Sequence, residues 1–281
     1  MKVSLLVPQS FEDLPMTIID DLKYSCSETD IDAFWFRDLP GSSLAMKEPG
    51  SLIDPFVLAS YVGACLGAST QLGIAVSGIS YRSALVTANA ALSLALILHR
   101  PFRLGLGTGE RHLSSAEHTG QCEKHPKSTL PTYFTQVSSL IEGQDHYEIT
   151  VKKPSSLTEK LEMFFAQGSG SRVVDFMPHA KGRLLWQQAP DELMGKLKEG
   201  YGGLTTAMTL NVHLDEAQTK PVFVRKPVSL VALPPAKLRS VLDIYRQCEL
   251  DEIILNLHGP ESRRKKFELL AKAKIGPTWD N

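Results

Sequence analysis

Short runs of β-branched, aromatic and leucine residues alternate with helical runs eight times along this chain. That alternation limits it to a parallel sheet with crossover helices. The runs that read as strands are Val3–Val7, Ala33–Arg37, Gln71–Ser77, Phe102–Gly107, Leu161–Ala166, Gly182–Trp186, Ala207–His213 and Glu252–Leu257. Each is almost continuously apolar, as strands buried on both faces are. Helical patterns follow at Pro15–Glu28, Pro55–Ser69, Ser83–Leu98, Leu130–Glu142, Ser171–His179, Asp191–Tyr201, Pro235–Cys248 and Glu261–Ala273. Pro15, Pro55 and Pro235 suit first-turn positions, and Asp54 suits an N-cap. Eight β/α pairs in 281 residues fit a closed (β/α)8 TIM barrel, one domain over residues 1–281, better than an open doubly wound sheet.

Two stretches break the rhythm. Glu110–Thr129 is long and polar, which predicts a lid or insertion on the active face. Leu214–Val231 follows the seventh strand and has room for a short extra strand. Hydrophobic residues make up 43% of the chain and charged ones 22%, with a formal net charge of −1. Nothing there favours nucleic acid or an anionic membrane as a partner. No apolar run reaches the ~20 residues that span a bilayer, and Met1–Pro8 reads as a strand rather than a secretory leader. The four cysteines form no C-x-x-C motif, so a reducing, cytoplasmic location is expected.

In barrels of this kind chemistry sits at the C-terminal ends of the strands. Gly105-Leu106-Gly107-Thr108-Gly109 looks like a nucleotide loop, but Glu110 occupies the third glycine position of G-x-G-x-x-G. A tight turn at the barrel rim explains it equally well. Gln167-Gly168-Ser169-Gly170-Ser171 departs from the G-x-S-x-G nucleophile elbow. As a strand end opening a helix it suits an anion, or simply caps the helix. The histidines do not cluster and no H-E-x-x-H is present, so no metal site is expected and a barrel hydrolase is disfavoured. The absence of a self-sufficient catalytic set favours a cofactor that carries the chemistry.

Several segments resemble the flavin-dependent luciferase-like monooxygenase family. Ile31-Asp32-Ala33-Phe34-Trp35-Phe36-Arg37-Asp38 is similar to its second strand, Asp54-Pro55-Phe56-Val57-Leu58-Ala59 to the helix start that follows, and Leu72-Gly73-Ile74-Ala75-Val76 to its third strand. Phe102-Arg103-Leu104-Gly105-Leu106-Gly107-Thr108-Gly109-Glu110 carries the most specific likeness. Ala166-Gln167-Gly168-Ser169-Gly170-Ser171 is similar to the family's phosphate-binding turn, and Asp251–Leu257 to its final strand.

The resemblance implies FMN across the barrel mouth, or the deazaflavin F420 in its place, and a small organic substrate. A partner flavin reductase would supply reduced cofactor. Ala75, Val76 and Ser77 would line the flavin ring. Gly107, Thr108 and Gly109 with Gly168, Ser169, Gly170 and Ser171 would approach the phosphate or ribityl chain, and Arg37, Asp38 and Trp186 would face the substrate. A non-proline cis peptide is implied at Ala75–Val76. Three positions depart from the pattern: Ser83-Ala84 replaces His-Pro after the third strand, the active-site histidine after the second falls near Leu39, and Thr108 replaces the phosphate arginine. A degenerate, non-catalytic flavin- or ligand-binding barrel is therefore the alternative. The uncharged helical runs Pro55–Ser69 and Ser83–Leu98 would leave a large apolar patch on a monomer, which predicts a homodimer through residues 55–98.

Overall fold

The eight strand-forming runs pair in one parallel order that closes on itself. The computed structural model describes the chain outside residues 9–14, 39–52, 80–81, 110–125, 144–159, 168–174, 177–178, 199–202, 225–229 and 276–281. β1 (Lys2–Leu6), β2 (Ala33–Phe36), β3 (Gln71–Gly78), β4 (Phe102–Gly107), β5 (Leu161–Gln167), β6 (Gly182–Leu185) and β7 (Thr205–Leu214) are hydrogen-bonded in sequence order. The last strand, β10 (Glu252–His258), pairs in parallel with both β7 and β1 and closes the barrel.

The helices lie between strands: α1 (Pro15–Glu28), α2 (Pro55–Cys65), α3 (Ala84–Leu98), α4 (Pro126–Glu142), α5 (Pro190–Lys198), α6 (Leu238–Arg246) and α7 (Arg263–Lys272). Asp54 caps α2 by accepting from the Phe56 and Val57 N–H groups, with Pro55 in the first turn. Ser83 caps α3 in the same way, accepting from the Val86 N–H. α4 begins four residues earlier than its apolar period predicts, because the start Pro126-Lys127-Ser128-Thr129 is polar. The helix expected over Ser171–His179 falls mostly outside the described residues, as do most of the expected lid and the Gly168–Ser171 turn. Among the described residues no helix is long and apolar enough to cross a membrane.

Strand residues alternate between two apolar layers. Val3, Leu5, Phe34, Phe36, Leu72, Leu104 and Phe165 belong to the layer beneath the helices. Leu6, Ala33, Trp35, Phe164, Leu184, Ala207 and Ile254 fill the barrel, with Ala75 and Val76 packed on them. The floor of the barrel carries a buried polar cluster. The buried Glu252 carboxylate accepts from the Trp35 indole N–H at 2.9 Å, the Ser4 hydroxyl at 2.5 Å and the Arg103 guanidinium at 2.7 Å. A buried carboxylate is tolerable only with such partners.

The stretch after β7 holds two extra strands where one was expected. β8 (Val222–Val224) runs antiparallel to β9 (Leu230–Leu233). β9 lies parallel to the last three residues of β7, Val212–Leu214, while β6 pairs with the start of β7 at Thr205–Met208. The hairpin thus raises the barrel wall above the end of β6.

Candidate functional site

At the C-terminal mouth, two walls of opposite character face each other across the barrel. The first is made by β3, β4 and β5. The register between β3 and β4 pairs Ile74 with Leu104 and Ser77 with Leu106. Ala75 and Val76 therefore share the single position opposite Gly105, which is a β-bulge. The Ala75–Val76 peptide is cis, as the resemblance implied. Glycine is required on β4 here. A Cβ at Gly105 would lie 2.6 Å from the Ile74 carbonyl oxygen and 2.5 Å from Leu184 Cδ1. At Gly107 it would lie 2.6 Å from Val76 Cγ2 and 3.2 Å from Ala166 Cβ. The wall is thus built of Ala75, Val76, Gly105, Gly107 and Ala166. Thr108 and Gly109 follow at the rim, with Gly109 at φ 73°.

The bulge also decides where Ser77 points. With Val76 turned into the barrel, the next residue turns out. Ser77 is buried and donates its hydroxyl to Asp38 Oδ2 at 2.9 Å. Asp38 likewise follows the inward position of Arg37 and turns to the helix side. Both its oxygens are taken by Arg82, at 2.7 and 3.1 Å. Arg82 in turn reaches Asp54 and stacks over the Phe56 ring of α2. The carboxylates hold this guanidinium well above its ordinary pKa, outweighing the opposing effect of burial. Ser77 and Asp38, expected at the flavin and the substrate, bind each other behind the sheet instead. Arg82 occupies the position just before the sequence departure at Ser83-Ala84, and no sequence motif marks it.

Trp186 follows inward-facing Leu184 at the end of β6 and is 45% exposed. Its neighbour Gln187 accepts the Asn211 N–H at 2.9 Å, tying the end of β6 to β7. Arg37 extends from the end of β2 and is half-buried.

The second wall, on β7 and β10, is polar and was not singled out as a pair in the sequence. Leu210-Asn211-Val212-His213 and Leu255-Asn256-Leu257-His258 lie side by side in register, Asn against Asn and His against His. Asn256 Nδ2 donates to Asn211 Oδ1 at 2.9 Å. The His258 Nε2 edge lies 2.9 Å from Asn256 Nδ2 and 3.1 Å from Asn211 Oδ1. His213 Nε2 faces Glu261 Oε1 at 3.4 Å. Burial pushes the His258 pKa down to about 4, assisted by the positive charges of Lys266, Arg37 and His213. Its imidazole is therefore neutral at pH 7. Among the described residues no three His, Cys, Asp or Glu side chains converge as metal ligands.

A flat ring with an apolar face and polar edges matches this mouth. Small residues on β3–β5 leave room on one side, and carboxamides and imidazoles supply hydrogen-bonding groups on the other. These residues fit the ring of a flavin or deazaflavin.

The architecture has solved counterparts among luciferase-like enzymes. An F420-dependent secondary alcohol dehydrogenase, in complex with an F420-acetone adduct, aligns over 97% of each chain with a TM-score of 0.74 and 11% identity. The coenzyme F420 dependent tetrahydromethanopterin reductase from Methanopyrus kandleri aligns over 98% of this chain and 99% of its own, with a TM-score of 0.71 and 13% identity. EDTA monooxygenase from Chelativorans sp. BNC1 aligns over 96% of this chain and 92% of its own, with a TM-score of 0.67 and 11% identity. The chain shares the (β/α)8 barrel fold of these enzymes. At this level of identity the common property is the fold. No family model matches the sequence, and no curated protein matches it. In this barrel the small-residue wall falls on β3–β5, the part of the chain that carries the most specific sequence likeness.

Proposed function

We propose that this protein is an FMN-dependent oxidoreductase of the monooxygenase type, acting on a small organic substrate. The observation that carries the reading is the bulged, glycine-lined wall of Ala75, Val76, Gly105, Gly107 and Ala166 set across the barrel from a polar wall. A bound flavin supplies the electron transfer. The chain's own residues hold and shelter it: the small wall receives the ring, and Thr108 and Gly109 lie toward the phosphate, the role that sequence likeness also gives Gly168, Ser169, Gly170 and Ser171. Arg37 and Trp186 face the substrate. Asp38 and Ser77 lie behind the sheet, bonded to each other and, through Asp38, to Arg82, and serve the fold rather than the ligand. A separate reductase supplies reduced cofactor, and the protein works in the cytoplasm as a homodimer.

F420 is the second reading. It is favoured by two F420-dependent enzymes among the structural neighbours. Titration of the purified protein with FMN and, separately, with F420, followed by quenching of cofactor fluorescence, decides between them. Saturable binding that Ser169→Asp weakens supports the reading. Failure of both cofactors to bind at high concentration leaves a degenerate barrel and overturns it.

A further inference from the structure

Asn256 combines burial with an unused hydrogen-bonding atom. The residue is 6% exposed. Its carboxamide nitrogen is engaged twice, donating to Asn211 Oδ1 and lying against His258 Nε2, both at 2.9 Å. Its oxygen, which could accept two hydrogen bonds, meets no donor among the described residues. The backbone at this position is fixed on both sides, in register with Leu6 of β1 and Asn211 of β7.

The oxygen is also open. Among the described residues the polar side-chain atoms that are both enclosed and unpartnered are Gln71 Oε1, Arg100 Nε and Glu261 Oε2, and Asn256 Oδ1 is not one of them. Strand alternation gives the direction of the opening. Ile254 belongs to the layer that fills the barrel, and Asn256, two residues on, shares its face. In that layer Leu6, Trp35, Phe164, Leu184 and Ile254 are buried against one another. Solvent therefore reaches Oδ1 from the C-terminal mouth.

A fixed acceptor discriminates by chemistry. A molecule that donates an N–H or O–H satisfies it, and one without a donor leaves it unpaired. A carboxylate would set oxygen against oxygen. Trp186, inward-facing and 45% exposed, supplies a flat apolar surface at the end of β6, on the far side of β7 from β10. We propose that Asn256 determines which substrates this mouth accepts: its Oδ1 receives a hydrogen bond from an N–H or O–H of an uncharged, flat organic molecule. This deepens the proposed function and rests on it for the molecule's role as substrate.

The test takes the intact protein, labelled with carbon-13 at asparagine and loaded with FMN, and titrates it with three probes of one shape: benzamide, N,N-dimethylbenzamide and benzoate. Benzamide is expected to bind about tenfold tighter than the other two. It should also shift the Asn256 carboxamide carbon signal, which FMN alone leaves in place. Asn256→Leu is expected to bind FMN as the parent does and to lose the preference for benzamide. The carbon signal of the parent decides the contact even where that variant fails to fold. Equal affinities for benzamide and its dimethyl form, tighter binding of benzoate, no binding of any probe, or a signal moved by FMN itself overturns this inference and spares the cofactor site. Failure of both FMN and F420 to bind overturns the proposed function instead, and the same probes on the cofactor-free protein then decide Asn256 by the same criteria.

Discussion

Arg103 on β4 reaches across the barrel floor to Glu252 on β10, four strands away around the ring, and bonds it at 2.7 Å. Both side chains are buried, at 7% and 1% exposure. Removing one member of such a pair strands the other's charge. Arg103→Met should therefore destabilise the barrel by about 3 kcal/mol, read as a lower denaturation midpoint. The double replacement with Glu252→Leu should recover much of that loss. A single variant as stable as the parent would show that the floor does not depend on this pair.

Asp38→Asn separates architecture from chemistry. It weakens a carboxylate that accepts from Arg82 and Ser77, and should cost about 2 kcal/mol. FMN affinity should stay at the parent value. A loss of affinity with unchanged stability would return Asp38 to the ligand side of the sheet.

Acid should weaken the fold through His258. Its pKa is about 4 in the folded chain against an ordinary 6.5, so the unfolded chain binds the proton first. The neutral ring costs nothing above pH 6.5. As pH falls from 6.5 to 4, stability declines by up to about 3 kcal/mol. His258→Gln should flatten that limb in denaturation curves taken between pH 4 and 7. Parallel curves for parent and variant would remove the assignment.

The outer faces of α2 and α3 expose Val57 at 63%, Val86 at 51% and Ile97 at 60%. Neither helix carries a charged residue. We expect a homodimer that buries these faces, seen by light scattering at low micromolar concentration as twice the chain mass. Ile97→Glu should yield a folded monomer. A monomeric parent, or a dimer that Ile97→Glu leaves intact, would show that the patch is covered in another way.

The barrel was legible because strands buried on both sides announce themselves as apolar runs at regular spacing. The glycines of β4 stand out in the sequence as a loop or tight turn; the room they leave for Val76 and Leu184 depends on β3 and β6. What escaped was whatever depends on two distant segments meeting. Asn211 and Asn256 lie 45 residues apart, and only the β7–β10 register makes Asn-x-His a ladder. The resemblance implies Ser77 at the flavin ring and Asp38 at the substrate. Direction, however, is set by alternation and by the bulge at Ala75–Val76, and both turn these side chains outward.

The β8–β9 hairpin divides the labour of the sheet. β7 meets β10 along Glu252–His258 and β6 along Thr205–Met208, so the ring is already shut before β9 attaches at Val212–Leu214. The hairpin is an accessory to closure. Its sequence can drift, lengthen or be exchanged while the scaffold stays put, which makes it the place where one ancestral vessel could be refitted for different guests.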